Sequence, residues 1–169
     1  MGFTPDHLGQ INIYVRNAES SHKWYEDVLG LHTYDFMPGR AAFMSANLDE
    51  SHEIALMEVG EDAPLQQPGQ VGLNHMAWRM GNLDDLKELY HRLEEKNVKA
   101  RPASHGLSLG LYFTDPDGNG MEVYYELPRD RWHAQENLFM SGEQPKGKFP
   151  GSWDKQLPDK QQNQRTPLI

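Results

Sequence analysis

Residues 8–15 alternate between apolar and polar side chains, with Ile11, Ile13 and Val15 on one face and Gln10, Asn12 and Tyr14 on the other. A period of two marks a strand with one core face and one polar face. Asn17 then offers a helix N-cap, Trp24, Tyr25, Val28 and Leu29 follow as an apolar stripe, and Gly30 supplies a stop. Short apolar stretches near 31–37, 40–47 and 52–59 are separated by Pro38-Gly39 and by the polar run from Leu48 to Ser51. They predict three strands joined by turns.

The same order then returns. At an offset of 65 residues, Ile11 falls on Met76, Val15 on Met80, Asn17 on Asn82 and Tyr25 on Tyr90. His75, Ala77 and Arg79 share one strand face, and Asn82 caps a second helix carrying Leu83, Leu86, Leu89, Tyr90 and Leu93. Weak strand signals near 98–102 precede stronger ones at 109–114 and 120–126, the last two joined by the turn Asp115-Pro116-Asp117-Gly118-Asn119. So long a period excludes a solenoid and indicates a duplicated supersecondary unit. The expected fold is therefore α+β, two βαβββ modules at about 7–60 and 71–127, with residues 61–70 as the linker. From Pro128 the periodicity stops, and residues 128–169 predict an irregular extension pinned by Trp132, Phe139, Phe149 and Trp153.

Composition narrows the function classes. A chain of 169 residues is one ordinary domain. Its net charge of −9 argues against a nucleic-acid partner, which requires clustered Lys and Arg. The absence of cysteine removes disulfides, thiolate ligands and a cysteine nucleophile. No apolar run approaches the roughly 20 residues of a membrane span, and the opening MGFTPD suits neither a signal peptide nor myristoylation. The expectation is a cytoplasmic protein with no membrane partner.

Candidate chemistry lies on the polar strand faces. The duplication pairs Gln10 with His75, and Glu122 stands on the last strand of the second half. A histidine and a carboxylate on rigid strands suit a first-row divalent metal. Spacing alone leaves open a hydrogen-bonded core histidine and an edge-strand carboxylate. His52 and Glu53 open the last strand of the first half, and setting EIAL against EVYY pairs Glu53 with Glu122 across a shared cavity. Both also suit a solvated strand start. His105 and Tyr112 precede Glu122 on the neighbouring hairpin, where Tyr112 has the strand parity of Gly110 and Thr114. Histidines 7, 22, 32, 91 and 133 lack partners at useful spacing and are expected at the surface.

The first strand LGQINIYV, the helix end WYEDVLGL and the hairpin YFTDPDGNGMEVYYE together resemble the vicinal oxygen chelate superfamily over about residues 7–127. That superfamily includes glyoxalase I, extradiol ring-cleavage dioxygenases and bleomycin resistance proteins. HEIAL, GLNHMAW and SHGLSLGLYFTDPDGNGMEVYYELPRDRW look most like one-domain catechol-type extradiol dioxygenases. The resemblance implies an incomplete barrel around a metal and substrate cavity, with Gln10, His75 and Glu122 as ligands. It further implies His52 as an acid–base residue and His105 and Tyr112 as hydrogen-bonding catalytic residues. Fe(II) is the implied metal, with Mn, Zn or Ni as other divalent choices. The substrates would be a small catecholic aromatic and O2, and the assembly a homodimer.

Gln10 departs from that pattern, because the dioxygenases have histidine there and two histidines with one carboxylate suit Fe(II). Glyoxalase I does use a glutamine at this position, so Gln10, Glu53, His75 and Glu122 form an alternative set for a metal-dependent isomerase or lyase. A third reading is an aromatic-ligand-binding module of the bleomycin-resistance type, in which Trp78 and Tyr124 matter more than the ligands.

Overall fold

The computed structural model describes residues 4–132 and 149–151. The first module runs β1 (Ile11–Val15), α1 (Ala18–Leu29), β2 (His32–Met37), β3 (Ala41–Ser45) and β4 (Ile54–Glu58). The second runs β5 (Met76–Arg79), α2 (Leu83–Glu95), β6 (Arg101–Ser104), β7 (Ser108–Thr114) and β8 (Gly120–Glu126). Each module builds a four-stranded sheet of the same order, β1-β4-β3-β2 and β5-β8-β7-β6, with the first strand parallel to the last. The duplication read from the sequence is thus a duplication of topology. The two sheets remain separate and open, and no barrel closes among the described residues.

Capping explains where the helices begin. The Asn17 side chain accepts from the Ser20 amide at 2.9 Å, and Asn82 does the same for Asp85 at 2.9 Å. Gly30 ends α1 in the left-handed region at φ 71°. The α1 face differs from the expected stripe. Ala18, Ser21, Tyr25 and Val28 are its buried residues, while Trp24 and Leu29 are only partly buried. Small side chains at 18 and 21 let the helix settle on that side of the sheet. His22 follows it inward, donating to or accepting from Thr33 Oγ1 at 2.7 Å and stacking on Phe36 at 4.7 Å, so it is not the surface residue expected.

Both helices cover one face of their sheets, where Ile13, Val15, Met44, Ile54, Leu56, Met76, Leu109, Leu111 and Val123 join the helix stripes in one core. The polar strand faces stay open on the opposite side. The two modules are joined by a buried polar staple at the β7–β8 turn. Tyr25 of α1 donates its hydroxyl to Asp115 Oδ2 at 3.0 Å, and Asp117 Oδ2 accepts from the Arg16 amide at 2.9 Å. Asp115 Oδ1 also accepts from the amides of Asp117 and Asn119 at 3.0 and 2.8 Å, which shapes the turn itself. Arg92 of α2 adds a bond to the Val28 carbonyl at 3.2 Å.

Beyond β8, the Trp132 indole donates to the Leu127 carbonyl at 2.7 Å, and Phe149 stacks on Tyr90 at 4.5 Å. Two of the four expected anchors therefore pack on the domain. Phe139 and Trp153 lie outside the described residues. Among the described residues, no helix is long and apolar enough to cross a membrane.

Candidate metal centre on the second sheet

The open face of the second sheet is a grid of facing side chains. Tyr112 pairs with Glu122 and Glu122 with Ala77, while Gly110 pairs with Tyr124 and Tyr124 with Arg79. His75 sits one residue before β5, beside the start of β8. Gly120 permits that closeness: a Cβ there would run into the Asn74 carbonyl and stand 3.2 Å from the His75 side chain. A cleft of about 380 Å³ lies on this face, lined by His75, His105, Ser108, Tyr112, Glu122 and Tyr124, among others.

His75 and Glu122 converge in it. Nε2 of His75 stands 3.3 Å from Glu122 Oε2, and the other ring nitrogen is held by Asn74 Oδ1 at 2.6 Å. With metal bonds of about 2.1 Å, two donors on one ion stand roughly 3.0 Å apart at a right angle and roughly 3.4 Å apart at the tetrahedral angle. The observed separation falls between the two. A second-nitrogen bond that fixes the imidazole is also what a ligating histidine requires. The pair therefore fits as two ligands of one ion.

Glu122 is 9% exposed and its carboxylate lies over Gly110, where a Cβ would come within 2.5 Å of Oε1. Beside it, His105 Nε2 and the Tyr112 hydroxyl are 2.8 Å apart. Burial raises the Tyr112 pKa, the hydrogen bond to Glu122 and that carboxylate's charge raise it further, and Arg101 opposes them. The tyrosine is thus a protonated donor at neutral pH. If it donates to Glu122, the His105 Nε2–H must donate to it, giving the sequence His105, Tyr112, Glu122, His75 across the cleft. The ring of Tyr112 lies edge-on to His75 at 5.5 Å.

The structure brings together His75, Glu122, His105 and Tyr112. It does not bring Gln10 or His52 to that cleft. Gln10 is exposed and sits one residue before β1, the counterpart of His75 in the first module. His52 holds Ser51 Oγ at 3.1 Å through Nδ1 and meets Phe43 edge-on at 5.2 Å. Both belong to the first module, just ahead of β1 and β4. Among the described residues, no three of His, Cys, Asp and Glu form a metal-sized group.

Glu53 is a correction. Ile11 pairs with Ile54 and Met76 with Met121, so the counterpart of Glu122 in the first module is Ala55, not Glu53. Glu53 Oε2 is taken up by the β3–β4 turn, accepting from Ser45 Oγ at 2.8 Å and from the amides of Ala46 and Asn47 at 2.8 and 3.0 Å. Trp78 also falls away from the site. It lies on the helix-covered face with Met76, where it packs against the core.

Sequence reasoning passed over Asn74, Gly120 and Arg101. Asn74 and Gly120 act only through the close approach of β5 and β8, a long-range contact that no local pattern announces. Arg101 lies in the weakest strand signal of the chain, and its partner is Tyr112, whose ring it covers at 4.7 Å.

Two βαβββ modules, each with its own four-stranded sheet of the same strand order, define a recognisable class of fold. The chain belongs to the glyoxalase/bleomycin resistance protein/dioxygenase superfamily, whose family model matches residues 7–123. It is 38% identical over 125 residues to a biphenyl-2,3-diol 1,2-dioxygenase of Rhodococcus globerulus, covering 73% of this chain and 64% of that protein. It is 30% identical over 127 residues to a catechol-2,3-dioxygenase of Bacillus subtilis (strain 168), covering 75% of this chain and 44% of that protein. The chain thus spans less than two thirds of the length of either relative. Among solved structures, a glyoxylase/bleomycin resistance protein/dioxygenase domain from Frankia sp. EAN1pec shares the fold at a TM-score of 0.62. It is 21% identical and covers 73% of this chain and 93% of that one.

Proposed function

We propose that this protein is an extradiol-type ring-cleavage dioxygenase acting on a catecholic aromatic with Fe(II) and O2. The observation that carries the reading is the 3.3 Å approach of His75 Nε2 to Glu122 Oε2 in a cleft that also holds Tyr112 and His105. Two relatives with dioxygenase names support it. A bound ion would supply Lewis-acid and one-electron chemistry for the reaction of a catecholate with O2. The chain does the rest. His75, just before β5, and Glu122 on β8 would hold the ion, and Asn74 sets the imidazole. The Tyr112–His105 pair can hold or pass a proton at the substrate oxygen. Gln10 is the proposed third ligand and His52 the proposed acid–base residue, each offered by the first module.

Two features weigh against the other readings. The glyoxalase-type set needs Glu53, and one oxygen of that carboxylate already accepts three hydrogen bonds from the β3–β4 turn. The sequestering reading leans on Trp78 and Tyr124; Tyr124 lines the cleft, but Trp78 lies on the helix-covered face. The test is anaerobic loading with Fe(II), addition of a catechol panel in air, and measurement of O2 uptake with the yellow ring-opened product. Uptake with product supports the reading. Conversion of a thiohemiacetal without any O2 uptake contradicts it.

A further inference from the structure

The open face of the second sheet carries two arginines in different electrostatic states. Arg79 Nη2 stands 3.4 Å from Glu126 Oε1, so its charge is compensated. Arg101 has no carboxylate partner among the described residues. Its guanidinium carbon instead stands over the Tyr112 ring, 4.7 Å from the centroid. Arg101 pairs with Tyr112 in the register, Tyr112 with Glu122, and Glu122 with Ala77. It is therefore two strands from the proposed ligand Glu122, a lateral step of roughly 9–10 Å at ordinary strand spacing.

We infer that Arg101 is a specificity residue that receives a carboxylate carried by the aromatic substrate. The inference rests on the catechol reading of the same cleft and departs from the uncharged diols in the relatives' names. Arg101 is exposed, and its contact with the Tyr112 ring is not a hydrogen bond, so its N–H donors remain available to a carboxylate through two parallel hydrogen bonds. A catechol anchored at His75 and Glu122 and extending across β7 would bring its far edge toward Arg101. In a chain of net charge −9, an anionic substrate gains nothing from the overall field. An uncompensated cation over Tyr112, which itself lines the cleft, is then the feature that selects for it. Substrate bound there also removes water from the pair and strengthens it.

The test uses the Fe(II)-loaded protein and two probes, 3,4-dihydroxyphenylacetate and its methyl ester, which differ in one charge. Anaerobic calorimetry reads binding, and O2 uptake reads turnover. Wild type is expected to bind the acid about 10–100-fold more tightly than the ester, the scale of a charge-assisted bidentate pair. Arg101→Ala should bring that ratio to about one. Arg101→Lys should keep part of it, and Arg101→Glu should invert it. Equal binding of acid and ester by wild type overturns the inference, as does an unchanged preference in Arg101→Ala or no binding of either probe. An Arg101-dependent preference for the acid without turnover of either probe supports the inference and contradicts the dioxygenase reading. Turnover of both probes with no preference does the reverse.

Discussion

A carboxylate as enclosed as Glu122 weakens a fold unless something compensates it. Here the compensation comes from His75, Tyr112 and the open strand position at Gly110, none of which is a permanent cation. The residue is thus placed for a ligand more than for the core. Glu122→Gln keeps the shape and removes the charge. It should leave the urea midpoint of the metal-free protein unchanged or higher, while lowering metal affinity by at least about 10-fold. A clear fall in metal-free stability would assign Glu122 a structural role instead. Gln10→His is expected to raise Fe(II) affinity by about 10-fold or more, because an imidazole is the better donor for this ion. Anaerobic equilibrium dialysis measures both. Gly120→Ala belongs to the same scale. Its Cβ meets backbone at Asn74, which cannot rotate away. The substitution should cost about 1–3 kcal/mol by thermal or urea unfolding and should loosen His75 as it does so.

Among the elements, the β7–β8 turn has the widest consequences. It carries Tyr112 and Glu122 on its two strands, and Asp115 within it accepts the Tyr25 hydroxyl of the other module. Tyr25→Phe removes that donor at a fully buried site and should cost about 1–3 kcal/mol. Burial raises the Asp115 pKa against the opposing hydrogen bonds from Asn119 and Tyr25. A carboxyl whose folded pKa lies above its unfolded value favours the fold fully below the unfolded pKa. That contribution is lost as pH rises through the folded pKa. Relative to Asp115→Asn, which does not titrate, wild type should therefore lose stability as pH rises from about 4, the ordinary Asp range. Urea midpoints of the two proteins across pH 3–8 check the sign.

Much of this element plan was legible in the chain. Alternation located β1 and β5, Asn17 and Asn82 located the helix starts, and DPDGN located the turn. The register between strands was not legible. Matching EIAL to EVYY by letter shifts the first module by two residues, a slip that keeps side chains on the same face and so leaves the hydrophobic pattern intact. Only the pairing of Ile11 with Ile54 and of Met76 with Met121 exposes it.

At the scale of the whole molecule, the candidate site divides between two modules. His75, Glu122, Tyr112 and His105 gather on the second, where close strand packing fixes them. Gln10 and His52 precede β1 and β4 of the first module, and only Gln10 has a site residue, His75, as its counterpart in the duplication. Periodicity reports which face a residue takes, so Gln10, His75, Glu122 and Tyr112 were legible as open-face candidates, whereas His52 has the parity of the core residues Ile54 and Leu56. It does not report how two sheets face one another, so the grouping of four was not legible. The account makes the second sheet the metal-holding half, and Fe(II) retention tests this most directly. After anaerobic loading and exhaustive dialysis, wild type should keep about one Fe(II) per chain, while His75→Ala and Glu122→Ala should keep almost none. Equal retention by wild type and both variants, or no retention by wild type, would contradict the account.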